Sequence, residues 1–443
     1  SRVSAMRSAF IAQQDWSYAV RSIERMEQLT KDDMGGARIR ALLDSATSLG
    51  LTLARLPKLT DLKAGLSDKL EVNPVAVEDL LGRPQVPLDR LSMARLIRGK
   101  NILVTGAGGS IGAELVRQIA ALSPKTLTLI DQSEYALYRV DLEVLETFPD
   151  ITCNSAIADV RDITRLNQLF SEIEPHVVFH AAALKHVPLV EDNILEGVAT
   201  NVLGTVNVAN ACRTYNVPYM VLISTDKAVN PTSIMGATKR MAEILVQARN
   251  AKSEVAFITV RFGNVLGSAG SVVPLFERQI AEGGPVTVTH PDVTRFFMTI
   301  SEACQLIMQA CVQGKGSETF VLDMGEPIKI SYLAKQLIRM AGLIPGQDIE
   351  IVYTGLREGE KLVEELFHNE EKLEKTLHDQ ISLAESRALN SDSVVNAVRL
   401  LTSNIQQSDT DGIEQIMKEL VPEYMQRNLV EGTGSARVIS FSR

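Results

Sequence analysis

An open α/β sheet, doubly wound and mostly parallel, is the fold that this sequence predicts, and three observations predict it. Apolar, strand-length runs alternate with helix-period segments from Lys100 to Arg261. The first strand-to-helix junction is the glycine-rich turn Thr105-Gly106-Ala107-Gly108-Gly109-Ser110-Ile111-Gly112. A later apolar run, Pro218 to Ile223, ends in Ser224-Thr225-Asp226-Lys227. That places a hydroxyl, an acid and an amine at the carboxyl end of a strand, where open α/β sheets bind ligands.

The elements follow in order. Asn101–Thr105 reads as a strand and Ser110–Leu122 as a helix; Thr126–Asp131 and Glu134–Thr147 repeat the pair. Ile151–Ala158 is the next strand, Ile163–Ile173 the next helix, and His176–Ala181 a strand. A long helix is expected over Leu195–Tyr215, then strand Pro218–Ser224, helix Ser233–Ala251 and strand Val255–Arg261. Beyond Arg261 the regularity drops. Short apolar segments (Val286–Val288, Phe320–Leu322, Ile349–Tyr353) alternate with helices such as Ile300–Val312 and Ser331–Met340. This division gives an N-terminal appendage or remnant of a preceding domain over 1–98 and a Rossmann-type domain over 99–265. A smaller substrate-binding lobe over 266–390, interleaved with that domain, and a helical tail over 391–443 complete it. Within the appendage, Ala37 to Leu49 reads as a helix and Leu51 to Leu56 as a short strand.

Composition narrows the class. Of 443 residues, 45% are hydrophobic and 22% charged, which suits a soluble globular chain with a large core. A net charge of −9 with no long basic run argues against a nucleic-acid partner. An anionic substrate would have to be held by local groups. Cys153, Cys212, Cys304 and Cys311 form no Cys-x-x-Cys pair, so no metal is expected and a reducing compartment is. Cys304 and Cys311 fall on an apolar helical pattern and read as core. No apolar run reaches membrane-span length, and no signal peptide is visible. The chain opens on Ser4-Ala5-Met6-Arg7-Ser8-Ala9-Phe10-Ile11 in mid-helix style, as a fragment of a longer protein would.

The glycine turn carries a nucleotide-binding logic. Gly106 permits the tight turn, Gly109 lets the backbone approach a pyrophosphate, and Gly112 lets helix and strand pack closely. Ser110 and Ile111 open the helix, whose N-terminus offers free N–H groups and a positive dipole end. Asp131 ends the second strand, followed by Gln132 and Ser133. Its carboxylate can accept both adenosine ribose hydroxyls and would repel a 2′-phosphate, so NAD is expected and not NADP. A glycine turn without a ligand is the plain alternative, and the strand, helix and acid around it argue against that. Arg139 reads as a solvated helix charge.

The Gly106, Gly109, Gly112 spacing resembles that of the extended short-chain dehydrogenase/reductases. Asp159 and Val160, in Ala158-Asp159-Val160-Arg161-Asp162, are similar to that family's adenine-contacting turn. His180-Ala181-Ala182-Ala183 resembles its loop beside the nicotinamide ribose, and Asn201 its structural asparagine. The family's usual Tyr-x-x-x-Lys pair falls on Met235 and Lys239, so the tyrosine is replaced.

Further motifs resemble one subfamily, the nucleotide-sugar 4,6-dehydratases of polysaccharide biosynthesis and protein glycosylation. They are Ala183-Leu184-Lys185-His186-Val187-Pro188, Ser224 to Lys227, Arg261 to Ser268, Thr294-Arg295-Phe296-Phe297-Met298 and Arg357-Glu358-Gly359-Glu360-Lys361. The resemblance implies UDP-N-acetylglucosamine as substrate. Met235 and the Glu78–Arg83 segment resemble the large, methionine-containing class, which retains configuration at C5. That class implies a cytoplasmic catalytic domain of an inner-membrane-anchored protein, joined to the membrane only through segments absent from this chain. A homo-oligomer is compatible with the sequence.

The chemistry that the resemblance implies needs an acid for the C6 hydroxyl and a base for C5. Asp226 fits the acid and Lys227 the base. A dry pocket can supply the shifted pKa values that a protonated carboxyl and a neutral amine require. Thr225 can hydrogen-bond the C4 oxygen, and Lys239 can hold the nicotinamide ribose. Met235 takes no proton, so the C4 hydroxyl must lose its own to another group, Asp226 through Thr225 or a water being open routes. Arg295 and Arg357 suit a diphosphate by their planar forks. Asn264, Ser271 and Glu360 join them on the substrate side, and Lys185 and His186 approach the sugar. Against these stand plainer readings. Thr225-Asp226-Lys227 can be a backbone-capping turn, Met235 a core residue in a defunct site, Arg357 a surface charge and His186 a structural histidine. Two rival functions remain, a UDP-sugar 4-epimerase and a catalytically silent NAD-binding module. The epimerase needs no Asp226-Lys227 pair and relies on the missing tyrosine.

Overall fold

The structure is a computed structural model that describes residues 88–250, 254–368, 371–384 and 391–425, with Ala54–Arg55, Asn73–Pro74 and Val77–Leu80. The helix expected over Ala37 to Leu49 and the end of the tail lie outside the described residues. So do most of the strand expected at Leu51 to Leu56 and the second half of Glu78–Arg83.

Helix α1 (Arg90–Ile97) leads into the alternating part: β1 (Asn101–Thr105), α2 (Ser110–Ala120), β2 (Thr126–Asp131), α3 (Glu134–Thr147), β3 (Thr152–Ile157), α4 (Ile163–Ile173) and β4 (Val177–His180). Then come the short α5 (Val187–Glu191), α6 (Ile194–Val198), α7 (Thr205–Thr214), β5 (Tyr219–Ile223), α8 (Ile234–Asn250) and β6 (Ala256–Arg261). The lobe follows: β7 (Asn264–Val265), α9 (Val272–Ala281), β8 (Val286–Val288), β9 (Thr294–Arg295), β10 (Phe297–Met298), α10 (Ile300–Gln313), β11 (Thr319–Leu322), β12 (Ile328–Lys329), α11 (Ile330–Met340) and β13 (Ile351–Tyr353). The chain closes with β14 (Leu373–Lys375), β15 (Ile381–Ala384), α12 (Ser391–Gln407) and α13 (Thr410–Leu420).

Nine strands make the main sheet, in the order β14-β15-β11-β6-β5-β4-β1-β2-β3. The run from β11 to β3 is parallel, and β15 pairs antiparallel with β11. The order reverses between β1 and β4, so their carboxyl ends border the crevice where such sheets bind ligands. Alternation along β1 explains the double winding. Ile102 and Val104 point into the core under α1, α2, α3 and α10, and Leu103 into the core under α4, α7 and α8. All three are fully buried, each contributing roughly 1.5–3 kcal/mol. Cys304 and Cys311 lie in the first of these cores, as their apolar pattern predicts.

Two local departures have physical reasons. The single helix expected over Leu195–Tyr215 contains a π-helical stretch, Ala199–Gly204, between α6 and α7. The widened turn accommodates Asn201, which is fully buried and bonds Leu184 and Thr238. The segment Phe320–Leu322, read as part of the smaller lobe, is β11 of the main sheet. Its apolar run alone could not say which strand it would pair with.

Candidate functional site

The glycine turn folds as its residues require. Gly106 has φ +67°, and a Cβ there would lie 2.5 Å from the backbone nitrogen of Ala182. A Cβ on Gly112 would collide with the carbonyl oxygen of Gly106. Gly109 is the N-cap of α2 and offers no side-chain cap, so the first turn of that helix keeps its N–H groups free. By contrast α3, α4 and α10 are capped by Ser133, Asp162 and Thr299. Asp131 ends β2 with Oδ2 accepting from Gly108 N and Oδ1 from Ser133 N, both at 2.9 Å. It therefore holds the turn itself, and each carboxylate oxygen has a further lone pair to offer. A hollow beside it is lined by Gly106, Gly109, Asp131, Gln132, Asp159, Val160 and Ala181–Ala183. Asp159 is fixed by Arg161, whose Nε donates at 2.7 Å.

The larger cleft, of about 650 Å³, joins this region to the lobe. It is lined by Ser110, Ile111 and Gly112 of the first turn, by Thr225, Lys227, Met235 and Lys239, and by Lys185 and His186. From the lobe come Asn264, Ser271, Arg295, Arg357 and Glu360. The structure thus brings cofactor-side and substrate-side residues of the sequence reading to one space. Asp131, Gln132, Asp159, Val160 and Ala182 stay in the hollow, and Ser133, Asn201 and Asp226 line neither space. Asn201 spends its amide on the Leu184 backbone and Thr238, so it braces the cofactor-side loop from behind. Asp226 is fully buried behind Thr225.

The Asp226 carboxylate is nevertheless wired to the cleft. Its Oδ1 accepts from Thr225 Oγ1 at 2.9 Å and from Lys227 Nζ at 3.0 Å. Its Oδ2 is buried without a hydrogen-bond partner. Lys227 Nζ also donates to Asn264 Oδ1 at 3.1 Å. Burial alone would push the Lys227 ammonium down, but the carboxylates of Asp226 and Glu364 outweigh it and hold its pKa above the usual lysine range. A proton moved from the Lys227 ammonium to Asp226 across their 3.0 Å hydrogen bond would give the protonated acid and neutral amine of the sequence reading.

Lys239, on the same face of α8 as Met235, donates to the carbonyl of Ile223 at 2.7 Å. Burial lowers its pKa to about 8, with Glu243 opposing. Gly236 lets α8 abut the Thr225–Lys227 turn, since a Cβ there would strike the carbonyl oxygen of Lys227. Met235 is 3% exposed and packs with Val190, Val198 and Ile234, so it is both core and cleft wall.

On the substrate side the two arginines differ. Arg295 is buried and held by Glu360 Oε1 at 2.8 Å, whereas Arg357 is exposed at the cleft mouth. Lys185 Nζ donates to Ala269 O at 2.8 Å, and burial followed by Lys227 lowers its pKa. The His186 ring lies against Gly270, where a Cβ would sit 2.5 Å from Cε1. Its pKa is lowered by burial and then by Lys185.

Sequence reasoning missed several residues. Glu243 accepts from Ser224 Oγ at 2.6 Å, and from Arg261 and Arg240, in a fully buried network. Arg240 passes this on to Glu423, beyond α13, so the tail braces the strand that carries the Thr225–Lys227 turn. The i,i+4 spacing of Glu243 from Lys239 was the available signal. Glu364 is a second omission, one helical spacing past Glu360 in sequence. His180, which the sequence places at the head of the Ala181–Ala183 loop, bonds Thr105 at 2.7 Å and Thr205 at 2.9 Å, linking β1 and β4 to α7. Among the described residues no cluster of three His, Cys, Asp or Glu side chains is placed to hold a metal ion, and no helix is long and apolar enough to cross a membrane.

Comparison with known proteins fits this arrangement. The capsular polysaccharide biosynthesis protein CapD of Staphylococcus aureus is 49% identical over 337 residues, covering 75% of this chain. The chain spans 56% of that relative's length. An inverting UDP-N-acetylglucosamine 4,6-dehydratase of Campylobacter jejuni is 34% identical over 61% of this chain and 78% of its own. A UDP-glucose 4-epimerase of Rickettsia massiliae is also 34% identical, over 61% and 79%. The family model described as polysaccharide biosynthesis protein matches residues 102–386, and the chain belongs to that family.

Proposed function

We propose that this chain binds NAD and a UDP-sugar and removes water from the sugar as a 4,6-dehydratase. UDP-N-acetylglucosamine is the expected substrate, with C5 configuration retained. The observation that carries the reading is the hydrogen-bonded Asp226-Lys227 pair, with Lys227 in the cleft that Gly109 and Lys239 also line. An epimerase has no use for such a pair, and a silent module has none for a lysine held in a cleft wall.

The residues fit the cofactor: an uncapped helix N-terminus for its phosphates, Asp131 for a ribose, and Lys239 beside the strand end for the other ribose. When bound, NAD supplies the oxidation at C4 and the later return of hydride to C6. The chain's own residues manage the protons. Thr225 holds the C4 oxygen, whose proton leaves to a water, since the Asp226 carboxylate has room for one proton and receives the one that Lys227 gives up across their 3.0 Å hydrogen bond. Lys227, neutral once its proton has moved to Asp226, takes the proton from C5. Asp226 returns a proton toward the C6 hydroxyl through Thr225 or Lys227, since its own oxygens do not reach the cleft. Arg357 and Arg295 meet the diphosphate, Arg295 by releasing Glu360.

Incubation with UDP-N-acetylglucosamine, read by mass spectrometry, tests the proposal. A dehydratase yields a product lighter by one water, an epimerase an isomer of unchanged mass, and a silent module no change. Asp226→Asn and Lys227→Ala should each lower water loss by about 10²-fold or more while leaving NAD binding intact. Near-normal turnover in either variant would remove that residue from its role.

A further inference from the structure

The segment that follows the Arg357–Lys361 motif is fastened to the loop after the catalytic turn. Lys361 Nζ donates to the carbonyl of Val229 at 2.9 Å, Asn230 Nδ2 to Glu365 at 3.2 Å, and Thr232 Oγ1 to the carbonyl of Gly359 at 2.9 Å. This clamp delivers Glu364 into the interior with 4% of its side chain exposed. Its Oε1 stands 3.6 Å from Lys227 Nζ and 3.6 Å from Arg295 Nε. Its Oε2 is buried with no hydrogen-bond partner. A glutamine would fill the same volume without the desolvation cost of a charge. A carboxylate kept dry between two cations at the wall of a cleft points to a use for its charge.

We propose that Glu364 is a positioning residue whose fixed charge keeps Lys227 protonated, and held between Asp226 and Asn264, until substrate enters. Its consequence for turnover rests on the dehydratase reading; its effect on Lys227 does not. The charged groups facing Lys227 are Asp226 on its own turn, Glu364 and Arg295 from the lobe, and Lys185 from the loop after β4. Arg295 has Glu360 as a second partner at 2.8 Å, which leaves Asp226 and Glu364 as the anions that act on the amine itself. Without Glu364 the amine would keep Asp226 alone, in a buried place that already disfavours its charge. Its proton would then pass more readily to Asp226 or be lost.

The test follows Lys227 directly in the NAD-loaded protein, by competitive acylation as a function of pH with peptide mass spectrometry. In Glu364→Gln the apparent pKa of Lys227 should fall by about one unit or more, which is roughly tenfold more reactive amine at a fixed pH below it. Glu364→Asp should restore most of the wild-type titration. In turnover, the limb of kcat/KM against pH that reports Lys227 should move down by the same amount in Glu364→Gln. An unmoved Lys227 titration in the folded variant would overturn the proposal; should that variant not fold, Glu364→Ala is read in its place by the same criterion. A shifted Lys227 in a protein that never dehydrates the sugar would overturn the dehydratase reading and leave the Glu364 role standing. Dehydration with an unmoved Lys227 would do the reverse.

Discussion

Lys239 Nζ reaches across from α8 and donates a 2.7 Å hydrogen bond to the carbonyl of Ile223, the last residue of β5. The strand end that carries Thr225, Asp226 and Lys227 is therefore pinned by the cofactor-side lysine. The lysine's pKa, lowered to about 8 from 10.5, measures what burying that charge costs. At pH 7 the cost is present in full, because folded and unfolded chains both carry the proton. It is relieved as pH rises from about 8 towards 10.5, where the unfolded chain still binds a proton that the folded one has shed. Lys239→Met should thus raise unfolding stability at pH 7 by on the order of 1–3 kcal/mol, the lost bond to Ile223 offsetting part of the gain. It should abolish detectable turnover. Denaturant unfolding of both proteins at pH 7 and pH 9.5 checks the sign, because the advantage of the variant should shrink at the higher pH.

The glycines of the first turn should separate folding from binding. Gly112→Ala forces a Cβ against the Gly106 carbonyl and should prevent the turn from closing, giving little folded protein. At Gly109 a Cβ meets only that same oxygen, at 3.3 Å, which a small shift absorbs. Gly109→Ala should fold with a melting temperature within a few degrees of the parent yet bind NAD at least about tenfold more weakly. Calorimetric titration with NAD is the measurement. Unchanged affinity in Gly109→Ala would remove the pyrophosphate from this turn.

His180 should make the fold sensitive to acid. It is buried between Thr105 and Thr205, and burial followed by Lys239 depresses its pKa from 6.5 to about 3. Above pH 6.5 the imidazole is neutral in both states. As pH falls below that value the unfolded chain gains a proton that the folded one refuses, so stability declines down to about pH 3. The loss should approach about 5 kcal/mol. Other groups titrate over the same range, so the informative quantity is a difference: His180→Gln should show a shallower decline between pH 7 and 4.5 than the parent.

Much of this was legible in the sequence because it rests on local rules. The parallel strands announce themselves by apolar runs, and the first turn by glycines that only a tight, close-packed junction needs. Asp131 and the Ser224–Lys227 turn follow from where a strand must end. What was not legible depends on partners distant in sequence. Nothing local says that Phe320–Leu322 will extend the main sheet beside β6, or that Asn201 will sit in a π turn to hold Leu184. Arg295 illustrates the same limit. Its fork suits a diphosphate, yet whether it stands free or is held by Glu360 is decided by how the segment carrying Glu360 folds back over the lobe. Glu243 on α8 and Glu423 after α13 carry no local sign of a role until Arg240 is brought to both and Arg261 to Glu243.

Met235 offers the sharpest chemical prediction. Its side chain is 3% exposed, grouped with Val198 and Ile234 on one side and bordering the cleft on the other. A thioether exchanges no proton, so its removal should be felt in packing more than in catalysis. Met235→Ala should cost roughly 2–4 kcal/mol of stability and leave dehydration within about tenfold of the parent at a temperature where both are folded. On the dehydratase reading, with no acid at that position, removal and return of the C5 proton fall to one group, taken to be Lys227, the cleft-wall lysine hydrogen-bonded to Asp226. One group working from one face predicts retention. In deuterium oxide the product should carry deuterium at C5 with the substrate's configuration, as read by proton coupling constants. An inverted centre would require a second acid on the opposite face, and would take the return of the C5 proton away from Lys227.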